Sequence, residues 1–394
     1  MMMNKILVMD GQTIAALAII RSLGEKGFEI HCGEDFRYNL SSFSKYVKKA
    51  VVYPSPVTRP DQFCDFVLNL TKQERYNLII PVADDTTLLL SKYKEKFLRY
   101  TKLYLADFSA VSKLGNKGEV IKIAQKLSIP VPATYFPEDT GIEEIKNRVK
   151  YPVLIRPRIS SGSRGIKYVS SRSKFDIAYK QVENEYGNPI VQEYISHDGG
   201  HYSIGVLFDR DSKPVAIHVY KELKQYPLQG GTAAVAVSIK KERWVDYFLE
   251  ILRSMKWVGP AHMDVLYDSA SNTPRLLEIN PRFWMSLNLS VKAGVDFPYL
   301  LYKLTNESKF SPVSLYKEGL IYRWIFPNEI LWLTQTSRKR EGFKEFINFW
   351  DKNTCYGDLS LDDPMPVIGI IHQSIHFLSN SDKRKMIFRR GWSL

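Results

Sequence analysis

Ala261-His262-Met263-Asp264-Val265 and, after a short polar stretch, Leu276-Leu277-Glu278-Ile279-Asn280-Pro281-Arg282 decide how this chain is read. The first run is apolar and strand-like, Asp268 to Pro274 carries turn residues, and in the second run Glu278 and Asn280 stand two apart, so they share one face of a strand. Asp264, Glu278 and Asn280 then present three hard oxygen ligands on one side of a hairpin. Magnesium takes oxygen ligands and is commonly held by one or two carboxylates while nucleotide phosphates complete its octahedron. The spacing predicts a magnesium-nucleotide site, with Arg282 two positions further along as a fixed cation. A hairpin with water-facing polar residues accounts for the Asp and the Glu alone equally well; the intact Glu-Ile-Asn-Pro-Arg run favours function.

Three upstream segments bear on the same reading. Tyr151 to Arg158 reads as a buried strand, and Ile159-Ser160-Ser161-Gly162-Ser163-Arg164-Gly165-Ile166 as a small glycine-bearing loop before the strand Lys167-Tyr168-Val169. Such a loop can turn backbone N–H groups toward phosphates, although a plain Ser/Gly hairpin has the same composition. Pro189 to Ile195 reads as a strand running into His197-Asp198-Gly199-Gly200, and Lys117 precedes a helix.

With the metal hairpin, these segments resemble the ATP-grasp family over residues 4 to 305, in the manner of ATP-grasp enzymes grouped with carbamoyl-phosphate synthetase and D-aspartate ligases. The resemblance implies that Ser161, Gly162, Ser163 and Gly165 belong to the flexible phosphate loop. It makes Gln192, Glu193, Tyr194 and Ile195 the hinge, where the Glu193 carbonyl and the Ile195 N–H read adenine. Lys117 matches the first nucleotide-contacting lysine. Arg156 stands where most members carry Lys, which exchanges a point charge for a planar fork. The family's ribose Glu is replaced by Asp198 or His201, and the ribose is assigned to Asp198, although a solvated turn is the commoner fate of an Asp before two glycines. Asp264, Glu278 and Asn280 become the ligands of two Mg2+ ions, for which Mn2+ can substitute, and Arg282 with Arg156 the catalytic cations.

The implied fold class is α/β: an ATP-grasp fold preceded by a Rossmann-like parallel-sheet domain and followed by an extension. At 394 residues the chain exceeds the size at which one core stops growing. The expected division is 1–110, 111–305 and 306–394, the middle part consisting of a lobe with the phosphate loop (111–190) and a lobe with the metal site (191–305). Residues 1–110 alternate strand and helix, with strands expected at Ile6 to Met9, Glu29 to Cys32, Leu78 to Pro81 and Leu103 to Leu105, and a helix from Thr13 to Lys26 closed by Gly27. No G-x-G-x-x-G follows the first strand, which argues against an NAD dehydrogenase. Asp10, Gly11 and Asp84, at strand ends, are candidate cleft residues, with helix caps or turns as the competing reading. Tyr220 to Ala233 reads as an interruption between two strands, either a substrate-facing loop or a long hairpin connection.

Three distant cysteines, Cys32, Cys64 and Cys355, fit neither a disulfide framework nor a metal knuckle. With no secretory leader legible at Asn4 to Gly11, a cytoplasmic protein is expected. The net charge of +13 makes an acidic partner or surface physically reasonable. The terminus Lys383-Arg384-Lys385-Met386-Ile387-Phe388-Arg389-Arg390-Gly391-Trp392 reads more often as a solvated helix end than as a membrane contact, and no nucleic-acid partner is expected. A homodimer is left open. The resemblance implies ATP-dependent joining of a small carboxylate to an amine through an acylphosphate, releasing ADP and phosphate. The alternatives are a non-catalytic nucleotide-binding regulator and a phosphotransferase that stops at the phosphorylated product.

Overall fold

The computed structural model describes residues 4–308, 310–349, 351–380 and 384. Lys383 and the run from Lys385 to Trp392, part of the basic terminus singled out above, lie outside the described residues.

The first unit is a parallel sheet of β1 (Lys5–Val8), β2 (Glu29–Glu34), β3 (Val47–Val52) and β4 (Leu78–Ile80), in the order β3-β2-β1-β4. The first crossover helix, Ile14–Gly24, is buried along almost its whole length, which suits its Ile/Ala/Leu-rich sequence. Thr13 caps it by accepting from Ala16 N, and Gly27 takes the positive φ of +80° that ends the turn. The expected strand at Leu103 to Leu105 does not form. Only a single bridge joins Lys102 to Leu78, and Leu103 and Leu105 are buried in the core as extended chain without a ladder. The strand β3 was not anticipated, because Lys48 and Lys49 break its apolar run.

A small antiparallel sheet follows: β5 (Thr134–Tyr135), β6 (Val153–Arg156), β7 (Lys167–Val169) and β8 (Ile190–Glu193), ordered β5-β8-β6-β7. The largest sheet has seven strands: β9 (His201–Phe208), β10 (Pro214–Tyr226), β11 (Thr232–Ser238), β12 (Gly259–Asp268), β13 (Thr273–Asn280), β14 (Ile321–Arg323) and β15 (Thr354–Tyr356), ordered β13-β12-β9-β10-β11-β14-β15. One face of this sheet packs on the helix Val245–Ser254, whose Val245, Phe248, Leu249, Ile251 and Leu252 are buried. The segment Tyr220 to Ala233 is neither a free loop nor a strand break. Its first seven residues continue β10, and only 227–231 turn the chain.

The last ~90 residues extend this sheet through β14 and β15 and then clasp the first unit. Arg21 on the helix Ile14–Gly24 donates to Asp363 Oδ2 (3.0 Å) and to the carbonyls of Gly357, Asp358 and Asp363. Asp363 also accepts from Ser44 Oγ and the Lys45 N–H. The final described helix, Pro366–Ser379, lies on the same surface, its Gln373 bonded to Leu40 N and Gln12 O.

Candidate active site

Pairing of β12 with β13 places Asp264 opposite Glu278 and His262 opposite Asn280, with an irregularity just after Asp264. Alternation then sends Asp264, Glu278 and Asn280 to one face. Asn280 Nδ2 donates to Asp264 Oδ2 at 3.0 Å, which leaves its carbonyl oxygen toward the cleft as an acceptor. Burial, then the neighbouring carboxylates of Glu278 and Glu222, push the Asp264 carboxyl well above the usual range. Burial acts the same way on Glu278, but Lys117 and Arg156 outweigh it and hold that carboxyl below its ordinary value. Burial thus disfavours the charged forms of Asp264 and Glu222, and a divalent cation would favour them. Among the described residues no three His, Cys, Asp or Glu side chains are grouped to hold a metal by themselves. Two carboxylates and an amide fit an ion that takes its remaining ligands from phosphate and water.

Facing this hairpin is the small sheet. Arg156, at the end of β6, is buried; its NH1 donates to Gln192 Oε1 (2.6 Å) and its NH2 to Glu278 Oε2 (3.1 Å), while its Nε has no partner. Lys117 begins the helix Lys117–Lys126, which Asn116 caps. Far from being a lone exposed lysine, it is only 7% exposed, donates to Ser160 O at 2.6 Å and lies 3.4 Å from Glu278 Oε2. Two cations therefore converge on one carboxylate from elements separated in sequence. Ser161, Gly162 and Ser163 line the cleft, with Gly162 and Ser163 at φ of +64° and +58°. The Ser163 hydroxyl reaches across to the Gly230 carbonyl in the β10–β11 turn.

Gln192, Glu193, Ile195 and His201 line the same cleft, together with the apolar Leu154, Ile166, Leu266 and Leu277. Of the residues expected to contact nucleotide, three do not line it. Gly165 (φ +74°) is pressed against Tyr186 and Pro157, so its role is to let the backbone pass. The Tyr194 ring packs edge-on against Tyr168 and stacks beside His197. Asp198 sits in the 3-10 turn His197–Gly199 and accepts from Ser196 Oγ at 2.6 Å, as the turn reading has it.

The first unit contributes Asp84, whose Oδ1 accepts from Arg282 Nε at 2.8 Å. Asp10 and Gly11, by contrast, are internal. Asp10 accepts from Val82 N, Ala83 N and Thr86 Oγ1, fixing the end of β4, and a side chain at Gly11 would strike Cys32 and Asn39.

Sequence reasoning missed a group on β10. The β10–β11 ladder shifts register between Glu222 and Lys224 and again between Lys224 and Gln225, so Glu222 and Gln225, which would face opposite ways on a regular strand, both reach the cleft. Gln225 Nε2 donates to Glu222 Oε2 (2.6 Å), and Ser203 Oγ to Glu222 Oε1 (2.8 Å). Lys224, between them, turns away to Glu329 (3.2 Å) and Glu345 (2.9 Å) of the C-terminal part. Deeper, Tyr220 OH is bonded to His262 Nε2 (2.9 Å) and accepts from Ser286 Oγ (2.7 Å), and Trp284 stacks on His262. The one local signal was the Phe283-Trp284 pair directly after Arg282. The cleft holds a cavity of about 160 Å³ and is partly open to solvent.

Residues 114–286 match the model of an ATP-grasp domain. The D-aspartate ligase of Enterococcus faecium is 24% identical over 254 residues, 57% of this chain and 60% of that protein, so the match spans less than two thirds of the relative. The biotin carboxylase domain of Hydrogenobacter thermophilus 2-oxoglutarate carboxylase, a dimer solved with MgADP, ADP and bicarbonate, superposes with a TM-score of 0.65 at 15% identity, covering 82% of this chain and 74% of that one. An L-amino acid ligase from Bacillus licheniformis superposes with a TM-score of 0.57 at 18% identity, covering 77% and 75%.

Proposed function

We propose that this ATP-grasp protein is a carboxylate–amine ligase, joining an amino acid or small acid to an amine at the expense of ATP through an acylphosphate. The observation that carries the proposal is the arrangement around Glu278: Lys117 and Arg156 on one side, Asp264 and Asn280 on the other, in one cleft with a serine–glycine loop. In this reading 1–110, 111–305 and 306–394 are its three parts. Asp264, Glu278 and Asn280 would hold two magnesium ions, replaceable by manganese. The metal neutralises charge on the transferred phosphoryl group.

The chain's own groups do the rest. Lys117 and Arg156 orient the phosphates, and the vacant Nε–H of Arg156 is a donor not used within the protein. Backbone N–H groups of Ser161 to Ser163 cover them, and backbone of Glu193 and Ile195 reads adenine between Leu154, Ile166 and Leu277. His201, which lines the cleft, would serve the ribose in preference to Asp198. Arg282, steadied by Asp84, holds the acylphosphate or the oxyanion formed when the amine attacks. Catalysis of this kind rests on positioning and fixed charge.

The reading is tested by oxygen-18 in the substrate carboxylate, with pools of amino acids and small acids screened for ADP release. Label should enter the released phosphate, and ADP should accumulate in step with amide. AMP with pyrophosphate, or label retained wholly in the amide, would overturn it. ADP release that needs a carboxylate and ignores every amine would replace it with phosphotransfer, and nucleotide binding without turnover would make the protein a regulator.

A further inference from the structure

The helix Pro366–Ser379 has two unlike faces. On one, Pro366 and Gly369 are buried against the first unit, with the Gly369 Cα so close to the Leu40 and Asn39 carbonyls that a Cβ there would meet them at 2.7–2.8 Å. His376 stacks on Phe36 (4.3 Å between centroids) and His372 on Phe43 (5.5 Å). These contacts fix the helix rotation. The other face then carries Ile368, Ile371, Ile375 and Leu378, which are 39%, 56%, 59% and 52% exposed. Their 3-4-3 spacing is that of a single stripe, about 15 Å long at 1.5 Å per residue. Isolated exposed apolar residues need no explanation, but four aligned aliphatic side chains on one helix do.

Charge says what covers the stripe. From Pro364 to Leu394 the sequence holds one acid, Asp382, against Lys383, Arg384, Lys385, Arg389 and Arg390, with Met386, Ile387, Phe388 and Trp392 interleaved. A parallel coiled-coil seam with a second copy would bring these like charges together, and flanking acids that could compensate are missing from that stretch. An apolar stripe continued by a basic, aromatic-bearing segment instead matches an anionic lipid surface, where aliphatic side chains enter the headgroup boundary and Lys and Arg meet phosphate. No helix among the described residues is long and apolar enough to cross a membrane, so contact would be in the plane of the surface.

We infer that the face of the helix Pro366–Ser379 bearing Ile368, Ile371, Ile375 and Leu378 docks the protein on an anionic phospholipid bilayer, peripherally and independently of what the cleft turns over. The test is sedimentation of the full chain with vesicles of phosphatidylcholine alone or with 30% phosphatidylglycerol. Binding is expected to the anionic vesicles, to weaken strongly at about 1 M salt where the Debye length falls to about 3 Å, and to drop roughly tenfold or more in Ile371→Asn/Ile375→Asn. Both replaced side chains are over half exposed, so the variant's melting temperature should match the parent's. Failure of the parent to bind anionic vesicles, or equal binding by the variant, overturns the inference. A parent dimer that the variant converts to monomer, without vesicle binding, assigns the stripe to a second copy. Protease protection of the tail in the parent, lost in the variant and without vesicle binding, assigns it to the chain's own last residues.

Discussion

Two buried arginines show how differently this molecule treats charge in its clasp and in its cleft. Arg21 has its Nε, NH1 and NH2 all engaged, three of its four acceptors being backbone carbonyls and the fourth a carboxylate that is itself held by Ser44 and Lys45. Arg156 is as deeply buried, yet its Nε is unpaired and one of its acids, Glu278, is shared with Lys117. A closed network fixes one structure; an incomplete one leaves donors for something that arrives.

The comparison is most exposed at Glu278. Glu278→Ala should abolish ATP turnover, a loss of ~10³-fold or more given that removing one preorganised group commonly costs 10²–10³, while the protein remains folded. Turnover like the parent's at saturating substrate would show that the open network is not the working one. On the other side, Asp363→Ala leaves Arg21 buried without its carboxylate and should lower stability by about 3–5 kcal/mol in denaturant titration. Its kcat in the surviving folded fraction should be unchanged; a selective loss of kcat would join clasp and cleft. Arg282→Lys should bind ATP nearly normally and lose about 10²-fold in kcat, because a point charge cannot reproduce a fork held by Asp84. A loss of ATP affinity instead would place Arg282 with the nucleotide.

The smallest effect concerns histidine. Burial lowers His218 to about 3, with Ser238 and Ser290 as its hydrogen-bond partners, away from the cleft. A folded-state value below the ordinary ~6.5 means stability is fully present above that pH and lost as pH falls toward 3, by about 1.4 kcal/mol per pH unit. His201 and His262, also lowered to about 3 by burial, add to the same slope from within the cleft. Denaturant titrations between pH 7 and 5 should show a shallower slope in His218→Gln, with turnover at pH 7 retained; an unchanged slope would mean the ring is not held neutral.

What could be read from sequence was local. Asp264, Glu278 and Asn280 were legible because a period of two and one short turn suffice to bring them together, and Thr13 and Gly27 because caps are written within a few residues of the helix they bound. The cations Lys117, Arg156 and Arg282 were named through the resemblance, but the partners they meet were not legible. Arg282 and Asp84 meet across 198 positions, and Lys117 and Glu278 join across a helix and a hairpin, so only the fold brings them into range. Glu222 and Gln225 were hidden for another reason: the double register shift in β10 breaks the alternation by which faces are assigned. Leu103 to Leu105 failed as a strand because an apolar run gives burial but not a ladder: beside the edge strand β4 the chain makes only the Lys102–Leu78 bridge.

The bond from the Ser163 hydroxyl to the Gly230 carbonyl ties the serine–glycine loop to the β10–β11 turn. A single neutral hydrogen bond contributes only about 0.5–1.5 kcal/mol net, so this tie by itself is a weak latch that an arriving ligand's own hydrogen bonds can replace.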